Sequence, residues 1–459
     1  MRRILSVLLC LAAPVWAAGL DPFNTERVTP PLPTPQTAGR SGDAPCAREI
    51  PAAPLTAIDA VDLTLCNNPQ TREVWAAARV QAAQLGVAQA AWLPDLDGRL
   101  GASRLNNDSR SYNSHSAVLT LSWLVFDSGA RSADGENARQ LLAAAAATQD
   151  STVQSLFLSA LQSFYFAQAT KAAVVSTTEA ERAAREGFNA AESRYNVGVA
   201  TPADRLLAQT ALSQATLNRI RAEGEARNAL GALANVMGFK AGQTLALAAP
   251  PAALPEAGFQ REVAALIAEA ELRRPDLKAA EAQVKAAQAS VDLVQAQGRP
   301  TVSVYTGPTW TQVDGISSNG GVIGVTVNLP IFSGFDTTYR VRAAEAQVDA
   351  RAAQLDRLKN QVALDVWKAY QSLTTATQSL KTTLDLVASA EQSERVALGR
   401  YKAGVGTVLD LLTAQSALAS ARLQRIQAAL DWYVYRATLA QSVGALDYTL
   451  LQPAAQGRP

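Results

Sequence analysis

Asp204 and Asp410 are the residues most open to a chemical reading. Each closes one of two near-copies of a phrase, RYNVGVATPAD from Arg194 and RYKAGVGTVLD from Arg400. A carboxylate in a repeated turn can attract cations, hold a backbone amide or link helices. Catalysis would ask for a partner, and the chain offers none. His115 is the sole histidine and stands in the polar stretch NNDSRSYNSHS. No Cys or acidic residue lies at ligand spacing from it, so neither metal binding nor proton transfer is indicated. Ser, His and Asp are nowhere arranged as a triad, and no phosphate loop occurs. The formal net charge is +1, without the basic face that nucleic acid requires. The reading is a protein that is not an enzyme, with no cofactor, no metal and no nucleic-acid partner.

The elements that carry the two phrases repeat with them. At a fixed step of 206 residues Pro69 falls on Pro275, Pro94 on Pro300, Phe126 on Phe332, Gly198 on Gly404 and Gly238 on Gly444. The step survives about 170 residues without a net gap, which marks a tandem duplication. We divide the chain into residues 1–17, an arm over 18–54, a first repeat over 55–238, a linker over 239–262, a second repeat over 263–445 and a tail over 446–459. The linker is read as lying at the equator of the molecule. Each repeat runs helix, two short strands, one very long helix, a Gly-containing turn and another helix. Gly198 and Gly404 suit a tight reversal. Thr201 and Thr407 can accept bonds from the free amides that begin the next helix, and Pro202 fits its first turn.

The long helix has a seam. Val341, Val348, Leu355 and Val362 recur every seven residues, as do Val366, Leu373, Leu380 and Val387, the spacing of a coiled coil. About sixty proline-free residues there predict a rod of roughly 90 Å. The strands are placed at 95–104 and 117–126, and at 301–310 and 321–331, with polar loops between. Leu119, Leu121 and Trp123 share one face, as do Ile323, Val325, Val327 and Leu329, with small polar residues opposite. Such faces suit lipid-facing barrel strands. Trp123 and Trp310 fit either an interfacial girdle or barrel packing. Four strands cannot close a barrel, and a bilayer does not tolerate open edges, so several chains must share one.

The N-terminus MRRILSVLLCLAAPVWA reads as a secretory signal, cut after Ala17. Cys10 lacks the small residues a lipoprotein signal carries just before its Cys. Cys46 and Cys66 are a disulfide candidate in an oxidising compartment, the alternative being two unpaired thiols.

In this order, twice, these features resemble the TolC family of outer-membrane export channels. The resemblance covers about residues 55–445, on the duplication, the NP and RP steps at Pro69 and Pro275, LVFDSG at 124–129, LPIFSG at 329–334, and the two RY-x-x-G turns. It extends to the CyaE-like branch that serves type I secretion. It implies a mainly α fold with a small β part: four strands per protomer in a shared twelve-stranded barrel of a homotrimer, above a periplasmic helical tunnel. Implied partners are outer-membrane lipid, a periplasmic adaptor, and an inner-membrane ABC transporter or proton-driven pump. The implied place is the outer membrane of a Gram-negative bacterium, extending into the periplasm. Asp410 falls on the constriction, Asp204 and Tyr401 on positions that link helix pairs when the tunnel is closed. Gly198, Gly404, Thr201 and Thr407 fall on the turns that meet the adaptor. The plainer reading of both aspartates is a solvated acid near a helix start, and of Tyr195 and Tyr401, packing in the helix seam. Thr413 replaces a second aspartate of the best-known member, and Gly406 its gating arginine, which implies a weaker cation site and fewer latch links. The cargo is either an unfolded polypeptide or, with a proton-driven pump, drugs, metals or solvents. A reading from another class is a periplasmic coiled-coil scaffold without a membrane span.

Overall fold

The computed structural model describes residues 21–31, 49–107, 110–249 and 262–446. The signal segment, Cys46 and most of the tail lie outside the described residues. After a short helix α1 (Thr25–Val28), the first repeat forms α2 (Ala57–Asn67), α3 (Pro69–Ala90), β1 (Asp95–Asn107), β2 (Arg110–Phe126), α4 (Ala130–Asn196) and α5 (Pro202–Val236). The second forms α6 (Val263–Arg273), α7 (Pro275–Gln297), β3 (Thr301–Val313), β4 (Ile316–Asn328), α8 (Asp336–Lys402) and α9 (Val408–Ser442). α4 and α8 have 67 residues each, α5 and α9 have 35 each, and both pairs keep the 206-residue step.

Proline punctuates both repeats in the same way. Asn68 and Arg274 are extended, with ψ 129° and 124°, because a residue before proline disfavours the helical region. Pro69 and Pro275 then open the next helices, where a missing N–H costs nothing.

The chain forms two units. One gathers Val74–Thr148 and Asp276–Asp356 with the stretch ending at Pro31; the other gathers Leu32–Glu73, Gln149–Pro275 and Arg357–Pro459. The first unit holds an antiparallel sheet in the order β1-β2-β3-β4. Its strands are longer than the sequence reading placed them. The ladder continues through polar residues, since it is made of backbone bonds that need no apolar alternation. His115 therefore lies on β2, opposite Ala102 and Gln312, and not in a loop. The β3–β4 connection shrinks to Asp314 and Gly315, at φ 50° and 84°, the positive angles of a two-residue hairpin turn. β4 stops at Asn328 instead of 331, just before Leu329-Pro330, where proline cannot donate.

The register sorts the side chains. Leu96 faces Leu121, and Leu121 faces Thr306, which faces Ile323. This face also carries Leu100, Leu119, Trp123 and Val325, all exposed. The other face carries Ser122, Ser303, Thr326 and Gly324. No described helix is long and apolar enough to cross a membrane.

Where β2 hands over to α4, Asp127 and Arg131 are buried at 5% and 7% exposure. Arg131 Nε donates to Asp127 at 2.9 Å, and its guanidinium lies 4.4 Å over the Trp92 ring. Trp123 Nε1 donates to the Trp92 carbonyl at 3.0 Å. In the second repeat the same three slots hold Ser333, Thr337 and Gly298. There a Cβ on Gly298 would sit 2.5 Å from Thr337 Cγ2.

The second unit is helical. Leu63, Phe164, Leu233 and Met237 pack together, and Val61, Leu65, Phe157 and Leu161 form a neighbouring cluster. Cys66 is buried and disulfide-bonded. The linker passes through this unit: Leu55 N donates to the Ala246 carbonyl and Ala248 N to that of Leu55, a parallel bridge. Val362, Val366, Leu373, Leu380 and Val387 of the predicted seam are buried; Val341, Val348 and Leu355 are only half-buried in the single chain.

Gly238 and Gly444 end α5 and α9 at φ 81° and 76°. A Cβ on Gly238 would lie 2.6 Å from the Asn67 carbonyl oxygen, and one on Gly444 3.1 Å from Arg273 backbone. We predict that both Gly→Ala changes lower the thermal transition, by more than the ~1 kcal/mol of a tolerated glycine change. Gly238→Ala should cost more than Gly444→Ala; equal or absent shifts would contradict this packing.

Candidate functional site

The two repeated phrases fold into two helical turns within the second unit, α4 into α5 and α8 into α9. Gly198 and Gly404 both sit at φ 80°. Val199 N donates back to the Arg194 carbonyl at 2.9 Å and Val405 N to that of Arg400 at 3.0 Å. These six-to-one bonds close the ends of α4 and α8 in the left-handed cap that glycine favours.

Each following helix opens with a capping box. Thr201 Oγ accepts from Asp204 N at 3.2 Å, while Asp204 Oδ2 accepts from Thr201 N at 2.9 Å. Thr407 and Asp410 do the same, at 3.1 and 3.3 Å. Reciprocal capping satisfies two amides that a helix start leaves free. Bonds from the Thr201 backbone and side chain hold the Asp204 carboxyl below its ordinary range. For Asp410 the bond from the Thr407 side chain is the chief cause. Both aspartates thus have a local structural task at their own helix starts.

Between the turns, Tyr401 is buried at 4% exposure among Ala191, Ala208, Val408 and Leu411. Its hydroxyl has no hydrogen-bond partner among the described residues. Asp204 is turned to its own helix start and makes no hydrogen bond to that hydroxyl. Arg194 joins the two turns: Nη1 donates to the Tyr401 carbonyl at 2.8 Å, and the guanidinium lies 4.9 Å over the Tyr401 ring. Gly406 N donates to the Arg400 carbonyl, and a Cβ on Gly406 would lie 3.1 Å from Arg400 Cβ and Tyr401 N. A larger residue at 406 would crowd the turn.

Further along α4 and α9, Gln415 Nε2 reaches the Ala183 carbonyl at 3.3 Å. Arg422 pairs with Glu179 at 2.7 Å and Glu391 at 3.1 Å. Tyr165 stacks on Tyr433 with ring centroids 4.6 Å apart, and burial pushes the Tyr165 phenol up to about 12. Arg194, Arg422 and Tyr165 were not singled out from the sequence. Arg194 could have been, since it opens the repeated phrase. Arg422 could not, because its partners lie more than thirty residues away on other helices.

The turns present Val197, Val199, Val405 and Leu409 to solvent, an exposed apolar set beside two carboxylates. Such a surface can bind another protein and attract cations, but it has no group placed to make or break bonds. Among the described residues no group of His, Cys, Asp and Glu could hold a metal.

Thr407→Ala should remove about 0.5–2 kcal/mol from the start of α9, read as faster amide exchange at Asp410 and Leu411. Carboxyls held below 3.8 stabilise the folded chain above their unfolded value and lose that contribution as pH falls through the folded one. Protection of the Thr201 and Thr407 amides, which donate to these carboxylates, should therefore be complete at neutral pH and fade only in acid below the ordinary Asp range. Fading near neutrality would contradict the caps.

The family model described as "Outer membrane efflux protein" matches residues 60–239 and again 266–445, the same 206-residue step. The chain is 31% identical over 401 residues to Protein CyaE of Bordetella pertussis, covering 85% of this chain and 84% of that protein. It is 24% identical to outer membrane protein TolC of Escherichia coli, covering 83% and 80%. Among solved structures, the outer membrane protein VceC of Vibrio cholerae superposes with a TM-score of 0.75 at 20% identity, over 84% of this chain and 96% of that one. The chain belongs to the outer membrane efflux protein family, the TolC-like channels that lie in the outer membrane and extend into the periplasm.

Proposed function

We propose that three copies of this chain form one outer-membrane exit channel. In this reading it works with a periplasmic adaptor and an inner-membrane ABC transporter to secrete an unfolded polypeptide. The observation that carries the channel is the sheet. It is apolar on one face, rich in hydroxyls and glycine on the other, and open along one edge of β1 and one of β4. Hydrocarbon does not tolerate open edges, and three copies supply twelve strands with lipid against the apolar face. The paired turns are then the periplasmic gate and the adaptor's docking point, with three copies of Asp410 at the constriction. Arg194 is the link between helix pairs that Gly406 cannot supply.

The choice of a polypeptide rests on identity: 31% to Protein CyaE, against 26% and 24% to relatives named for efflux and solvent efflux pumps. Those same relatives favour the second reading, a proton-driven pump as partner and small molecules as cargo.

In planar bilayers the purified protein should give a cation-selective conductance. Asp410→Asn, which keeps a side chain able to cap, should lower that selectivity without loss of trimer. Deleting the chain should stop secretion by the ABC transporter that copurifies with it and leave drug susceptibility unchanged. The reverse pattern would move the chain to the second reading. A monomer that does not enter membranes would sink the channel itself.

A further inference from the structure

We propose that Gly324 sets the bore of the barrel by giving the Tyr305 ring a place to lie flat against the wall. The inference rests on the closed trimeric barrel proposed above.

Tyr305 of β3 stands opposite Gly324 of β4 and Ser122 of β2. Period-two alternation puts all three on the hydroxyl-rich face, since Val304, Thr306, Ile323 and Val325 take the apolar one. A Cβ built on Gly324 would lie 2.5 Å from Tyr305 Cζ and Oη and 2.8 Å from Cε1. The ring therefore lies across the glycine backbone, in the space a side chain would fill. The atoms so met are the far end of a side chain that can turn about its χ angles. Any larger residue at 324 thus displaces the ring and leaves the strands in place.

The direction of that displacement follows from the surroundings. Ser122, Ser303, Thr326 and Asp95 are the small neighbours on this face in the half of the sheet nearer the helices, with Leu124 opposite Ser303 the one large apolar side chain beside them. There Tyr305 is the one aromatic side chain among the described residues. A ring lifted from the wall finds no pocket and projects into the lumen, three times over in a trimer. The first repeat shows the contrast at the same register slot, where Arg99 stands opposite Val118. With a Cβ present there, the chain carries an unbranched side chain instead of a ring. Aromatic cover of a strand glycine also protects its backbone, but that role alone would not require a wide passage. With the ring flat, the strip of this face around Tyr305 is Ser122, Ser303, Gly324 and Thr326, flanked by Asp97, Arg99 and Leu124.

The test places a thiol beyond Tyr305 on the helix side, Thr326→Cys, in the full chain in the outer membrane of cells. Maleimides of graded size are added outside, and the same chain with Thr326 unchanged gives the background. With Gly324 intact, the largest reagent that labels the introduced thiol defines the bore. Gly324→Ala and Gly324→Val should both lose labelling by the larger reagents and keep it for the smallest. Adding Tyr305→Ala should restore the original cut-off. Tyr305→Ala with Gly324 intact should leave the cut-off unchanged, because a flat ring does not obstruct. An unchanged cut-off in the Gly324 variants, no rescue by Tyr305→Ala, or a wider cut-off in Tyr305→Ala alone would each overturn the proposal. If the smallest reagent fails to reach the introduced thiol in inserted, otherwise unaltered protein, this face is no lumen, and the barrel reading falls instead.

Discussion

Backbone N–H and C=O groups need partners wherever water is absent, and that requirement governs this protein more than any side chain does. The sheet is antiparallel, four strands wide and long in its ladders, yet one edge of β1 and one of β4 end without a strand to pair with. Among the described residues the chain has no further strand to add, because each repeat contributes one hairpin. In the trimer proposed above it is met by symmetry, and the exposed apolar face of the sheet is the surface that such an assembly turns to lipid. The half-buried seam positions of α8 and the exposed Ile331, Phe332 and Phe335 beyond β4 fit the same account. These surfaces are unfinished in one copy.

The duplication was legible in the sequence because it is carried by residues with few substitutes. Glycines at φ near 80° and prolines at helix starts fix backbone geometry, and both kept the step of 206 residues in the folded chain. The capping threonines and aspartates were legible for the same reason, their spacing being that of a helix start. The bounds of the strands were not. Alternation of apolar residues reports where a strand meets lipid, whereas the ladder runs on through Ser, Asn and Gln. His115 was misplaced by that difference. Arg194 and Arg422 were illegible for a further reason, since which cation meets which helix depends on how the hairpins pack. The flat seat of Tyr305 is of this kind as well, for it needs the register before Gly324 can be seen to lie beneath it.

CyaE and the relatives named for efflux pumps are similar to this chain along most of its length. The residues that differ between the two halves of this chain are more informative than those they share. Glu181, held by Arg219 at 2.5 Å and by Thr216 at 2.9 Å, occupies the slot that buried Val387 fills in the other half. A polar knot in one hairpin and an apolar contact in the other make the two hairpins unequal partners in any motion of the turns.

The junctions between strands and helices are unequal too. In the first repeat a buried ion pair, a stacked indole and a second indole's hydrogen bond join β2, α3 and α4. In the second, a serine, a threonine and a glycine stand in those slots. Around a threefold assembly, stiff and compliant joints would alternate. A torque applied to a barrel of three copies would then pass chiefly through every other joint, and those joints would yield with threefold symmetry although the element order of each chain repeats twice.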